Sequence, residues 1–255
     1  MMTNRIKLSS TRPKKPLRII LLVLLAALML CGGFAAAYVN DYYHAEEIAA
    51  KAMAAGDGVE ISRWEDGTIV FGPQAPTVGL IFYPGGKVEY TAYAPLMGTC
   101  AQRGILCVLV KMPCNLAVLN ANAADGIAER FPQVEQWYIG GHSLGGAMAA
   151  SYAAKHSDTL DGLILLAAYS TADLTNTGLA VLSVYGSEDG VLNLEKYEGY
   201  RSNLPENAEE SILQGGCHAY FGSYGAQDGD GIPTITNEQQ VRWTADKIAE
   251  WIDRT

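Results

Sequence analysis

Gly141-His142-Ser143-Leu144-Gly145 is the stretch of this chain whose residue types and spacing do chemistry, a G-x-S-x-G. It follows an apolar run and opens an Ala-rich one, so it reads as a strand, a tight turn and a helix with Ser143 at the bend. The helix start would point backbone N–H groups at negative charge developing beside the serine. A hydroxyl is a poor nucleophile until a base takes its proton, so a histidine is required. Four are present. His44 lies just past an apolar segment, beside Tyr42 and Tyr43, where membrane-interface aromatics belong. His142 is inside the turn, its ring expected to face away from Ser143, and His156 ends the following helix, where a basic residue is a routine cap. His218, in Gly215-Gly216-Cys217-His218, sits in a flexible loop able to return over the turn and is the candidate base. For the acid that would orient it, Asp189, Glu188 and Asp173 each follow an apolar run.

The elements that must hold these residues are legible as short apolar runs without alternation: Val78–Tyr83, Leu106–Val110, Trp137–Ile139, Leu163–Ala168 and Leu182–Tyr185. Strands covered on both faces read this way. Helical candidates lie between them at Tyr93–Gln102, Leu116–Arg130, Leu144–Lys155 and Leu194–Ser202. The pattern predicts an α/β fold with a mostly parallel, doubly wound sheet and right-handed crossovers. Ahead of it, two alternating runs around Glu65-Asp66-Gly67 predict a β-hairpin. Ser211–Leu213 closes the sheet, and Asn237–Ile252 forms the last helix.

At 255 residues, 49% of them hydrophobic and 18% charged, the chain buries a full core, which excludes a disordered protein. Its net charge of −9, with no internal basic block, excludes the electrostatic footprint of a nucleic-acid partner. Charge nevertheless divides along the chain. Arg5, Lys7, Arg12, Lys14, Lys15 and Arg18 precede every acid, and from Leu17 to Val39 the only charge is Arg18. About 20 apolar residues span the hydrocarbon layer, and positive flanks stay cytoplasmic. The expected order is therefore a basic cytoplasmic tail over 1–16, one transmembrane signal-anchor over 17–39, a stalk or lead-in helix over 40–57 and the α/β domain over 58–255, outside the cytoplasm. Cleavage near Ala35-Ala36-Ala37, giving a secreted protein, is the alternative. Cys31 invites a lipoprotein reading, which Leu30 before it argues against.

From about Val78 to the C-terminus the chain resembles the α/β-hydrolase superfamily, most of all its small, lidless, dienelactone-hydrolase-like branch of the fold-5 type. The likeness is carried by YPGGKVEYTAYAPL, VLVKMPCNLAVLNANAA, GGHSLGGAMAA, VYGSEDGV and GGCHAYFG, in that order. It implies nucleophile, acid and histidine in the order Ser143, Asp189, His218. It implies an oxyanion hole from the Leu144 amide and a second amide, that of Gly86 or Lys87, after the first parallel strand. Lys87 reads either as a solvated surface lysine or as a cation that attracts an anionic group on a substrate. The implied activity is a serine hydrolase, carboxylesterase-like, that cleaves a small-molecule ester or similar acyl bond through an acyl-enzyme. An acyltransferase using the same residues and a non-catalytic binding protein on this fold are the alternatives. No cofactor and no metal is expected, since neither a metal-ligand spacing nor a dinucleotide fingerprint is present. Cys100, Cys107, Cys114 and Cys217 are even in number, which leaves disulfides open, and Cys114 and Cys217 are placed to line the cleft. The stretch between Ala168 and the next strand is too short for a cap, so the site is expected to be open.

Overall fold

The computed structural model describes residues 15–54, 56 and 58–255, with side chains from Arg18 onward. The cations Arg5, Lys7, Arg12 and Lys14 and the boundary residue Asp57 lie outside the described residues. Two compact units are present, one ending at Asp41 and the other covering Tyr42–Thr255. The first contains helix α1 (Lys15–Asn40), which from Arg18 onward is long and apolar enough to cross a membrane by length and composition.

The second unit holds an eight-stranded sheet in the order β1-β2-β4-β3-β5-β6-β7-β8. The hairpin β1 (Glu60–Arg63) and β2 (Ile69–Gly72) pairs antiparallel, and β2 joins β4 antiparallel. Gly67 at φ 92° makes the turn, with the Thr68 N–H donating to Asp66 Oδ1 at 2.8 Å. The rest is parallel: β3 (Val78–Tyr83), β4 (Ile105–Leu109), β5 (Gln136–His142), β6 (Gly162–Leu166), β7 (Ala180–Gly186) and β8 (Glu209–Leu213). Period-two alternation splits the core between the faces. Leu80 and Phe82 join one cluster with Met97 of α3 (Ala94–Ala101) and Trp251 of α6 (Asn237–Ile252), while Ile81 and Tyr83 join another with Ala150 of α4 (Leu144–Ala153). A capping box between Thr236 and Gln239 starts α6. Because β4 lies on one side of β3 and β5 on the other, the strand order reverses there. A crevice opens at such a switch point, at the carboxyl ends of the strands.

Two expectations are corrected. The segment 116–130 is no α-helix; it runs as 3-10 turns at Pro113–Asn115, Ala117–Leu119 and Ala128–Arg130. Positive φ at Cys114, Asn115 and Gly126 interrupts helical geometry, and the Tyr83 hydroxyl donates to Ala121 O and accepts from Ala124 N–H, drawing the loop onto β3. The segment 40–57, expected as a stalk or lead-in helix, is helical beyond Asn40 only in α2 (Glu47–Ala52) among the described residues, and from Tyr42 onward it belongs to the second unit rather than to a stalk. The Tyr43 N–H donates to Lys87 O at 2.8 Å, its carbonyl accepts from Glu89 N–H at 2.8 Å, and Ala49 is fully buried. Tyr43 packs on Tyr224 with ring centroids 5.6 Å apart, so it faces the domain. His44 is exposed, 3.6 Å from Glu89.

Candidate active site

Ser143 sits between β5 and α4 at φ 51°, ψ −123°. A non-glycine residue in that region stores about 1–3 kcal/mol of strain and persists only where its surroundings hold it. They do so here: its N–H donates to Leu166 O at 2.9 Å, and its carbonyl accepts from Ala147 N–H at 3.1 Å. The turn also demands glycine at 141. An added Cβ there would stand 2.6 Å from the Gly145 carbonyl carbon and 2.7 Å from both Gly146 N and Tyr83 O, all backbone atoms.

The loop after β7 brings Asp189 to the loop after β8, which carries His218. His218 Nδ1 lies 2.9 Å from Asp189 Oδ2 and 3.1 Å from Oδ1, and both side chains are almost wholly buried. Asp189 Oδ1 also accepts from the N–H groups of Val191 and Leu192, at 2.9 and 2.8 Å, which fixes the carboxylate before the imidazole meets it. The sequence alternatives stand elsewhere. Asp173 closes an exposed turn on Thr175, and Glu188 is exposed and accepts from the Ser187 hydroxyl. His156 stacks on Tyr152 at 3.9 Å.

His142 is fully packed, its ring centroid 4.4 Å from that of His218. Its Nδ1 is 2.7 Å from the Tyr93 hydroxyl, which accepts from Gly85 N–H at 3.0 Å. With that hydroxyl donating to Nδ1, the proton of neutral His142 sits on Nε2, which is buried without a hydrogen-bond partner among the described residues. Burial first, and the neighbouring His218 second, hold its pKa well below the usual histidine value, so it is neutral. Tyr93 thereby links the loop after β3 to the floor of the site, a role nothing in its sequence neighbourhood signals.

Of the two residues expected to offer a second oxyanion donor, Lys87 is corrected. Its amide donates to Asn115 O at 2.8 Å, at φ 57°, and so is engaged. The Gly86 amide makes no hydrogen bond among the described residues. The Gly86 segment lies against the first turn of α4, since an added Cβ would stand 2.8 Å from Leu144 Cδ2. Ser143 and His218 both line one cleft of about 340 Å³ with Leu144, Ala147, Met148, Ala167, Ala168, Tyr169, Thr171, Val191, Leu192 and Asn193. Its walls are mostly apolar and, among the described residues, carry no lysine or arginine. A larger hollow of about 470 Å³ between α2, α3 and α6 shares none of these residues, and its Lys51 and Arg242 are paired with Glu47 and Glu238. Cys114 and Cys217 line no part of the cleft. Cys114 is exposed on another hollow, and Cys217 is buried, which pushes its thiol up to about 12. Cys100 and Cys107 are buried free thiols.

A model of the α/β-hydrolase family matches residues 79–242, well over half of the chain. The chain belongs to the α/β-hydrolase family. The matched region runs from β3 into α6 and takes in Ser143, Asp189 and His218. No curated protein matches the chain. Among solved structures it is similar to Est1E from Butyrivibrio proteoclasticus, at 14% identity and a TM-score of 0.54 over 77% of this chain and 99% of that one. A Thermoplasma acidophilum protein described as a predicted CIB-like hydrolase is 17% identical, with a TM-score of 0.53 over 76% of this chain and all of its own. MGS-MChE2, an α/β hydrolase enzyme from the metagenome of lagoon sediments at Mar Chica, Morocco, is 13% identical, with a TM-score of 0.57 over 76% and 98%. At such identities the likeness is one of the α/β-hydrolase fold.

Proposed function

We propose that this α/β hydrolase is a membrane-anchored serine hydrolase that cleaves a neutral carboxylic ester or similar acyl bond outside the cytoplasm. One observation carries the reading: a strained serine between strand and helix shares a cleft with a histidine whose far nitrogen is held by a buried, pre-oriented carboxylate. Ser143 Oγ attacks the carbonyl carbon while His218 Nε2 takes its proton. Asp189 holds the Nδ1–H tautomer and stabilises the imidazolium. The oxyanion is met by the N–H groups of Leu144 and Gly86, the start of α4 adding its dipole. His218 then returns the proton to the leaving alcohol, and water, deprotonated by the same imidazole, releases the acid and restores Ser143. Leu144, Ala147, Met148, Val191 and Leu192 offer the acyl group an apolar wall, and without a cation among the lining residues a carboxylate-bearing substrate gains nothing there. Orientation rests on the basic residues before α1.

A fluorophosphonate should label the wild-type chain at Ser143 and leave Ser143→Ala unlabelled, with ester turnover lost by several orders of magnitude and the fold kept. More than a tenth of wild-type turnover in that variant would overturn the assignment. Protease added outside intact cells, where the outer face of the membrane is accessible, should reach the domain, and full protection there would overturn the orientation.

A further inference from the structure

For an imidazole to serve Ser143, the loop after β7 and the loop after β8 must hold still relative to each other. Near the strands they are tied by Ser187 N–H to Leu213 O at 2.9 Å and Glu188 N–H to Gly216 O at 2.8 Å, but these bonds stop short of Asp189 and His218. Beyond them a carboxylate takes over from a third segment. Asp230 Oδ1 accepts from the N–H groups of Gly190 at 3.1 Å, His218 at 3.1 Å and its neighbour Gly231 at 2.9 Å, and Oδ2 accepts from Ala219 N–H at 2.8 Å. The residue on the other side of His218 is held from α6: buried Gln240 accepts from Cys217 N–H at 3.1 Å and donates to Cys217 O at 2.8 Å.

We propose that Asp230 is a positioning residue that sets the His218 imidazole against Asp189 and Ser143 by tying the backbone of both loops to one carboxylate. This rests on the reading of Ser143, Asp189 and His218 as the reacting set. Four N–H donors converge on two oxygens, a demand that an ionised carboxylate, with about four acceptor positions and no donor, meets and a carboxamide does not. Burial pushes the Asp230 pKa up, but the amides of Ala219, Gly190 and His218 outweigh it and leave the group below the usual carboxylate range, ionised at neutral pH. Three of its four amide bonds go to Gly190, His218 and Ala219, each next to or at a member of the set. Losing them lets the imidazole drift, and a misplacement of about 1 Å costs on the order of 100-fold in rate.

The test compares Asp230→Asn and Asp230→Ala with wild type and Ser143→Ala, all as the full chain in detergent, on a soluble neutral ester. Asn keeps the shape and one acceptor oxygen but turns an NH₂ toward Ala219 N–H. The expected result is kcat lower by about 10-fold in Asp230→Asn and about 100-fold in Asp230→Ala, with KM within about 3-fold in both. The strongly deshielded proton resonance of His218 Nδ1–H should broaden or shift in Asp230→Asn at temperatures where it is fully folded, a change that loss of stability alone does not produce. Wild-type kcat with an unchanged resonance in Asp230→Asn overturns the inference, as does a rise in KM at constant kcat. If Asp230→Ala does not fold, Asp230→Asn decides. Retained turnover in Ser143→Ala defeats the underlying reading instead, whereas a dead Ser143→Ala beside a fully active Asp230→Asn defeats only the role of Asp230.

Discussion

Gly141→Ala tests whether backbone packing at the turn shapes the site. The new methyl would lie 2.6 Å from Gly145 C and 2.7 Å from Gly146 N and Tyr83 O. Carbon meets carbonyl oxygen at roughly 3.3–3.6 Å, so the overlap with Tyr83 O is more than half an ångström. None of the three atoms belongs to a side chain that could rotate away. Overpacking costs typically about 1–3 kcal/mol, and three backbone contacts put this variant near 3. For a domain of this size that lowers Tm by roughly 6–12 °C. Relief must move either the end of β3, which leads to Gly86, or the start of α4, which carries Leu144. The two amides proposed to hold the oxyanion then separate, and kcat should fall by about 100-fold. Gly199→Ala is the control, since a Cβ at the exposed end of α5 (Leu194–Gly199) meets nothing within 4 Å. Thermal unfolding by circular dichroism and steady-state turnover of a soluble ester read both effects. Wild-type Tm and kcat in Gly141→Ala, or an equal loss in Gly199→Ala, would refute the reasoning.

Asp189→Asn keeps the size of the side chain but can set an amide NH₂ against the Nδ1–H tautomer, so kcat should fall by about 10²–10⁴-fold with little change in KM, measured as separate constants. His142 has its pKa lowered in the fold, so the unfolded chain binds the extra proton first as pH falls. The associated stability is present above the unfolded value of about 6.5 and is lost below it, by up to ~1.4 kcal/mol per pH unit, until the folded value is reached. Denaturant midpoints between pH 7.5 and about 5 should therefore decline in wild type and decline less in His142→Gln; equal slopes would count against a buried neutral ring. A soluble domain beginning at Tyr42 should unfold at a higher temperature than one beginning at Gly58, because the shorter one gives up the packing of Tyr43, Ala52 and Met53 on the core and the Tyr43 bonds to Lys87 and Glu89. Equal Tm values for the two would show that the segment adds nothing.

The sequence by itself determined those parts of the protein whose causes are local. Val78–Tyr83 is a continuous apolar run and Asn237–Ile252 a helix started by the adjoining capping box of Thr236 and Gln239, and both form with the expected bounds. The G-x-S-x-G stretch likewise announces its turn, because the crowding at Gly141 comes partly from Gly145 and Gly146 a few residues on. Only the tertiary structure decided the rest. An Ala-rich stretch at 116–130 reads as helix, yet the Tyr83 hydroxyl draws it onto the end of a strand some 40 residues away. The Lys87 amide looks available until Asn115 O is seen to accept from it, and residues 42–54 look like a spacer until Tyr43 is found bonded to Lys87 and Glu89. Asp230 sits in a Gly- and Asp-rich run that reads as plain loop, and its bond to Gly190 spans 40 residues. Periodicity and turn chemistry are set between chain neighbours, whereas the partner of a hydrogen bond is set by which loops the folded sheet brings to one edge.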